Sequence, residues 1–164
     1  VVDVGGSYGQ LVGAILRANP HLDGLVFDVA HAREGAERLL AAMGIAGRCR
    51  VVSGDFFEAV QDGGDVYLLK SVLHDWDDTR SCAILSNCHR AMRGTTKLLI
   101  VERLMPEDDE PSFEVARYDV MMMVMGGRER TESEYRRLLD ASGFRLCRLV
   151  PTGTEFSILE EELL

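Results

Sequence analysis
The chain has 164 residues, 46% of them hydrophobic and 27% charged, with a formal net charge of −9. That length suits one domain, able to bury about 68–70% of its unfolded surface. The acidic balance argues against nucleic-acid binding, which relies on clustered Lys and Arg, and no apolar run approaches the ~20 residues of a membrane span.

In chain order, Val1–Val4 reads as a buried strand breaking into the turn Gly5-Gly6-Ser7-Tyr8-Gly9. There, bare backbone lets a ligand lie against a sheet edge. A helix over Gln10–Ala18 is stopped by Asn19-Pro20, because the residue before proline is driven out of the α region. Leu25–Phe27 is a short apolar strand ending at Asp28, followed by a helix from Ala32 to Met43 with Gly44 as its stop. Arg50–Ser53 is a third strand, ending at Gly54-Asp55, and Val66–Leu69 a fourth, ending at Lys70. A long helix over Asp77–Met92 is capped by Asp77-Asp78-Thr79, and Lys97–Val101 is a fifth strand running to Glu102. Next come an acidic surface turn at Pro106–Pro111 and a Met-rich helix, Phe113–Met125, broken by Gly126-Gly127. Thr131 and Glu134 form a capping box for a helix ending at Ala141. Strands at Phe144–Val150 and Glu155–Leu159, joined by Pro151-Thr152-Gly153, pair antiparallel across so short a turn. The pattern predicts one α/β domain, doubly wound on a mostly parallel seven-stranded sheet with a C-terminal antiparallel hairpin.

Four cysteines (Cys49, Cys82, Cys88 and Cys147) make no C-x-x-C pair and have no zinc-ligand spacing with His. Reduced thiols, no metal and a cytoplasmic location are expected, since no signal peptide precedes the first strand. The chain starts without Met and already inside a strand, so residues ahead of Val1 are expected to belong to the natural domain.

Open α/β sheets bind ligands beyond the carboxyl ends of their strands. Five consecutive strands end there in the glycine turn, Asp28, Asp55-Phe56-Phe57, Lys70 with His74-Asp75-Trp76, and Glu102. Gly5, Gly6 and Gly9, with Asp3 two residues ahead, do not form the G-x-G-x-x-G of a dinucleotide site. They suit a nucleoside over the turn, or a turn that needs glycine for packing alone. Asp28 suits a ribose, accepting from both vicinal hydroxyls, or a helix N-cap. Asp55 suits an adenine amino group with Phe56 and Trp76 stacked on the ring, although such aromatics are also ordinary core. Lys70 doubles as a snorkelling surface residue, and His74 as a surface histidine in a capping segment.

The segments Asp3-Val4-Gly5-Gly6-Ser7-Tyr8-Gly9, Phe27-Asp28, Gly54-Asp55-Phe56-Phe57, Leu69-Lys70-Ser71-Val72-Leu73-His74-Asp75-Trp76 and Gly126-Gly127-Arg128-Glu129-Arg130-Thr131 follow in this order. Together they resemble the S-adenosylmethionine-dependent O-methyltransferases of the plant caffeate and bacterial polyketide type, over essentially the whole chain. The resemblance implies that residues 1–164 form a Rossmann-like catalytic domain. Gly5 and Gly9 would pass beneath the methionine and ribose of S-adenosylmethionine, with Asp3 and Gly6 in the same turn. Asp28 would hold the ribose, Asp55 and Phe56 the adenine with Trp76 beside it, and Lys70 the cofactor's polar end. His74 matches the general base, and Glu102 and Glu129 the acids that orient its imidazole. Met121, Met122 and Met125 would line the pocket of an aromatic or polyketide-like acceptor, with Asp75 beside them; half of the Met121–Met125 cluster is expected to be core. The resemblance also implies a homodimer, formed through an N-terminal helical domain outside this chain. Ser7 replaces the family's usual third glycine, and Val29-Ala30 its common Leu-Pro, which touches geometry more than chemistry.

The chemistry needs these groups. Methyl transfer from a sulfonium is an in-line displacement that depends on alignment. A phenol with pKa near 10 is mostly protonated at pH 7, and a neutral His is suited to take its proton. A carboxylate on the other ring nitrogen fixes the tautomer and stabilises the imidazolium. Two other readings stay open. One is a cofactor-binding relative without methyl transfer; the other is a nicotinamide-dependent dehydrogenase, against which the missing G-x-G-x-x-G stands.

Overall fold
The computed structural model describes residues 1–107 and 113–164. Residues 108–111 of the expected acidic turn at Pro106–Pro111 lie outside that range.

Among the described residues nine strands and five α-helices follow in order: β1 (Val2–Val4), α1 (Gln10–Ala18), β2 (Gly24–Asp28), α2 (Arg33–Ala42), β3 (Cys49–Ser53), β4 (Val66–Lys70), α3 (Asp78–Ala91), β5 (Lys97–Glu102), β6 (Leu104–Met105), α4 (Phe113–Met125), β7 (Arg130–Thr131), α5 (Glu132–Ala141), β8 (Phe144–Pro151) and β9 (Ser157–Leu163). One-turn 3₁₀ helices sit at Ala30–Ala32 and Leu73–Asp75. Seven strands form one sheet in the order β3-β2-β1-β4-β5-β9-β8. β1 to β5 run parallel, and β9 is antiparallel to both β5 and β8. The expected doubly wound sheet and C-terminal hairpin are both present. Among the described residues no helix is long and apolar enough to cross a membrane.

Alternation along the strands puts successive side chains on opposite faces. In β2, Leu25 and Phe27 join Val4, Leu69, Ile84, Leu85 and Tyr135 in the core under α3 and α5. Val26, between them, joins Val12, Leu16 and Leu40 under α1 and α2. Each such aliphatic side chain contributes about 1.5–3 kcal/mol by leaving water. The sheet is therefore covered on both faces, and its carboxyl edge stays open for ligand.

Local signals placed most helix ends. Asp77 Oδ1 accepts from the Arg80 N–H at 2.8 Å to open α3, and the Thr131–Glu134 capping box opens α5. β9 differs from expectation, beginning at Ser157 and running to Leu163 rather than covering Glu155–Leu159. Thr152 Oγ1 donates to the Phe156 carbonyl at 2.7 Å and extends the turn. Further on, Glu160 and Glu162 are held in the sheet by Lys97, Arg145 and Arg148, cross-strand neighbours that a local reading of an acidic run does not see. The two-residue strands β6 and β7 were also not expected. They pair parallel, Leu104 with Arg130 and Met105 with Thr131, and so bring the chain after Glu102 beside the chain after Glu129.

Candidate active site
The turn after β1 is tight because it is packed from below. A Cβ on Gly5, at φ +70°, would stand 2.9 Å from Val72 Cγ2, and one on Gly6 would stand 2.7 Å from Asp3 Oδ2. Ser7 takes the left-handed conformation at φ 51°, and its N–H donates to Asp28 Oδ2 at 2.7 Å. That charge-assisted bond offsets backbone strain of the order of 1 kcal/mol and explains how serine replaces the usual glycine. Asp28 Oδ1 accepts from the Val29 N–H, also at 2.7 Å. Both oxygens keep a lone pair for further donors. Asp3, Gly5, Gly6, Ser7, Tyr8 and Lys70 line one cavity of about 240 Å³. Gly9 does not line it: its Cβ position is pressed 2.8 Å from Val26 Cγ2, so it serves the packing of α1 on the sheet.

Asp3 is buried at the base of this cavity, and burial pushes its carboxyl up to about 6. An acid raised in the folded state contributes stability that is complete below about pH 4 and lost as pH rises through about 6. The loss amounts to about 3 kcal/mol at pH 8. Asp3→Asn is therefore expected to raise the Tm of the cofactor-free chain at pH 8 and to leave it nearly unchanged at pH 4. Thermal denaturation at the two pH values checks this; equal Tm changes at both would refute it.

At the end of β3, Asp55 Oδ1 accepts from the Phe57 N–H at 2.8 Å. Phe56, Phe57 and Trp76 meet edge to face, with centroids 4.9 Å apart for Phe56–Phe57, 4.8 Å for Phe57–Trp76 and 6.2 Å for Phe56–Trp76. Phe57, to which no role was assigned from sequence, is the link between the other two rings. Lys70 Nζ donates to Ser71 Oγ at 3.2 Å and lies 4.3 Å from the Phe156 ring centroid.

The second half of the site is built around His74, on the turn that follows β4. Glu102, the last residue of β5, accepts from the Val72 and Leu73 N–H groups through Oε1, both at 3.0 Å. Its Oε2 stands 3.3 Å from His74 Nδ1, and Glu129 Oε1 stands 3.5 Å from the same nitrogen. Asp75 Oδ1 is 3.4 Å from Nε2. His74, Glu102 and Glu129 are all buried. Burial pushes Glu102 up to about 7, against the pull of His74. Burial alone would lower His74, but Glu129, Glu102 and Asp75 outweigh it and hold the imidazole above its ordinary 6.5. Two buried carboxylates face Nδ1 and the partly exposed Asp75 faces Nε2, so a neutral ring with its proton on Nδ1 would leave Nε2 as the basic nitrogen. One donor atom from each of the three residues lies within 4.8 Å of the others, a metal-ligand type of cluster; a proton on Nδ1 serves the same atoms.

Backbone contacts that sequence reading missed fix this arrangement. The Arg128 N–H donates to the His74 carbonyl at 2.8 Å, and the Glu129 N–H donates to Asp119 Oδ1 of α4 at 3.0 Å. A Cβ on Gly127 would lie 1.9 Å from the His74 carbonyl oxygen. The Gly126-Gly127 pair was the available signal: it marks a helix break and opens the Gly126–Thr131 segment of the family resemblance, but neither reading shows the close approach to His74. The methionines depart from expectation. Met122 is buried, whereas Met121, Met123 and Met125 are exposed, so less than half of the cluster is core. Phe113 and Val124 are exposed on the same helix; α4 packs against the Leu73–Asp75 turn and turns much of its apolar surface outward.

Sheet order and the glycine turn after β1 together define the molecule as a class I methyltransferase fold. The chain belongs to the O-methyltransferase domain family, whose sequence model matches residues 1–145. It is 48% identical over 160 residues to phenazine O-methyltransferase PhzM of Lysobacter antibioticus, covering 98% of this chain and 47% of that protein. It is 46% identical over 165 residues to O-demethylpuromycin-O-methyltransferase of Streptomyces alboniger, covering 98% and 44% respectively. The solved structure of NcsB1, an O-methyltransferase from neocarzinostatin biosynthesis in complex with S-adenosylmethionine and 2-hydroxy-5-methyl naphthoic acid, superposes with a TM-score of 0.91 at 34% identity, covering 99% of this chain and 48% of that one. The chain thus spans about half the length of the curated relatives it matches.

Proposed function
We propose that this chain is the cofactor-binding and catalytic part of an S-adenosylmethionine-dependent O-methyltransferase acting on a hydroxyl of an aromatic or polyketide-like small molecule. The observation that carries the reading is His74, with Nδ1 facing two buried carboxylates and its other nitrogen left as a base. The family and its relatives support the same chemistry.

The residues fit the cofactor. Gly5 and Gly6 present bare backbone to the cavity because a side chain at either would clash with Val72 or Asp3, and Asp3 and Lys70 line the same cavity for the methionine end. Asp28 would hold the ribose, and Asp55, Phe56 and Trp76 the adenine. When bound, the cofactor supplies an electrophilic methyl on a sulfonium. His74 Nε2 takes the acceptor's hydroxyl proton, which turns a poor nucleophile into a phenolate-like one. Glu102 and Glu129 stabilise the imidazolium that results. Asp75, beside Nε2, would orient the acceptor hydroxyl, and Met121, Met122 and Met125 would form part of its pocket. We place the protein in the cytoplasm as a homodimer, assembled through a helical domain preceding this chain, and expect the isolated chain to bind cofactor better than it turns over acceptor.

The test is a calorimetric titration with S-adenosylhomocysteine beside NADH, repeated on Asp28→Ala. Selective binding of S-adenosylhomocysteine is expected, weakened roughly 10- to 100-fold in the variant by loss of two charge-assisted bonds. Binding of NADH in its place would overturn the cofactor assignment. Unchanged affinity in Asp28→Ala would remove Asp28 from the site.

A further inference from the structure
The one-turn helix Leu73–Asp75 is too short to satisfy the carbonyls along it from within; the Arg128 N–H takes that of His74, and a buried cation takes those of Leu73 and Trp76. Arg130 is fully buried. Its Nη1 donates to the Leu73 carbonyl and its Nη2 to the Trp76 carbonyl, both at 2.8 Å. The fork thus grips the chain on either side of His74-Asp75. Nε and Nη2 also donate to Asp78 Oδ1, at 2.9 and 2.8 Å. Nη2 reaches Ser81 Oγ at 3.2 Å, and Ser81 Oγ donates to the Leu73 carbonyl, also at 3.2 Å. Arg130 directly follows Glu129, so the same two residues carry the grip on the turn and the carboxylate that faces His74 Nδ1.

We propose that Arg130 is a positioning residue for the reaction: its planar fork sets the distance between the His74 turn and Glu129, and through it the orientation of the base. The inference rests on the reading of His74 as general base. Arginine is needed because one rigid guanidinium spans two carbonyls and a carboxylate, which the point charge of lysine does not. A displacement of about 1 Å in such a constellation costs on the order of 100-fold in rate.

The experiment follows the His74 imidazole by NMR titration in the wild type, Arg130→Lys and Arg130→Gln, together with S-adenosylhomocysteine affinity and the kcat and KM of the intact enzyme. Among the described residues Glu102, Glu129 and Asp75 are the charged groups that face the ring. Arg130→Lys keeps the charge and loses the fork, so the His74 midpoint is expected to fall toward its ordinary value. kcat should drop roughly 10- to 100-fold, with both KM values and cofactor affinity nearly unchanged. Arg130→Gln sharpens the result. Loss of a cation alone would raise the His74 midpoint, so a fall there reports displacement. If either variant does not fold, Ser81→Ala, which removes the neutral bridge from Arg130 to Leu73, is read in the same way with a smaller fall. An unmoved His74 midpoint and unchanged kcat in the folded variants overturn the proposal. His74→Gln separates the two claims: should it retain turnover, the base reading fails, while the titration still decides whether Arg130 positions the turn.

Discussion
His74→Gln is expected to lower methyl transfer to a phenolic acceptor by roughly 10²–10⁴-fold and to leave S-adenosylhomocysteine affinity within about twofold. Glutamine keeps a polar group in the buried slot between Glu102 and Glu129 but cannot accept and release a proton. The pH dependence adds a second readout. Carboxylates hold the wild-type imidazole above its ordinary 6.5 against the opposing effect of burial. As a general base, His74 would be inactive when protonated at low pH, so kcat should climb as pH rises through that elevated value. In His74→Gln this limb should flatten. Steady-state kinetics across pH 5.5–9 on the intact enzyme, with calorimetry for the cofactor, makes the measurement. A variant that keeps both the rate and the limb would remove His74 from the chemistry.

Gly127→Ala is expected to be the most damaging change that adds only one carbon. The new Cβ would lie 1.9 Å from the His74 carbonyl oxygen and 2.7 Å from the Asp75 carbonyl carbon. Those are backbone atoms, so the clash is relieved only by moving the turn that carries His74. Overpacking of this kind costs about 1–3 kcal/mol, and displacement of the base by about 1 Å costs on the order of 100-fold in kcat. Gly126→Ala is the matched control. Its Cβ would meet nothing within 4 Å, but the residue sits at φ +93°, so it strains the backbone without touching the turn. Thermal melts should show both variants weakened, whereas only Gly127→Ala should lose rate out of proportion to stability. Equal kcat losses in the two would mean that contact at Gly127 does not set the position of His74.

The features legible in sequence were those whose signals are local. The glycine turn, Asp28 after a short apolar strand, the α3 and α5 caps and the break at Gly126-Gly127 each announce themselves within a few residues. The candidate residues at the strand ends were legible because strand ends in a parallel sheet share one rim, while the roles proposed for them came from the family resemblance. What escaped the sequence depended on partners far along the chain. β9 runs on to Leu163 because basic residues of β5 and β8 lie across from Glu160 and Glu162. The methionines of α4 gave a helical period but not a direction, and only packing against the His74 turn shows that Met122 points in while Met121 and Met125 point out.

The sequence by itself determined the order of the seven sheet strands and five helices, the doubly wound class and the identity of the groups at the sheet's carboxyl edge, because hydrophobic period, caps and turns are short-range properties. Only the tertiary structure decided that Glu102 and Glu129 converge on one nitrogen of His74. That convergence needs the β6–β7 pairing, the close approach of Gly127 and the buried fork of Arg130. Each of these is a contact between segments whose separation along the chain carries no local signature, set by packing and by the requirement that buried polar groups find partners.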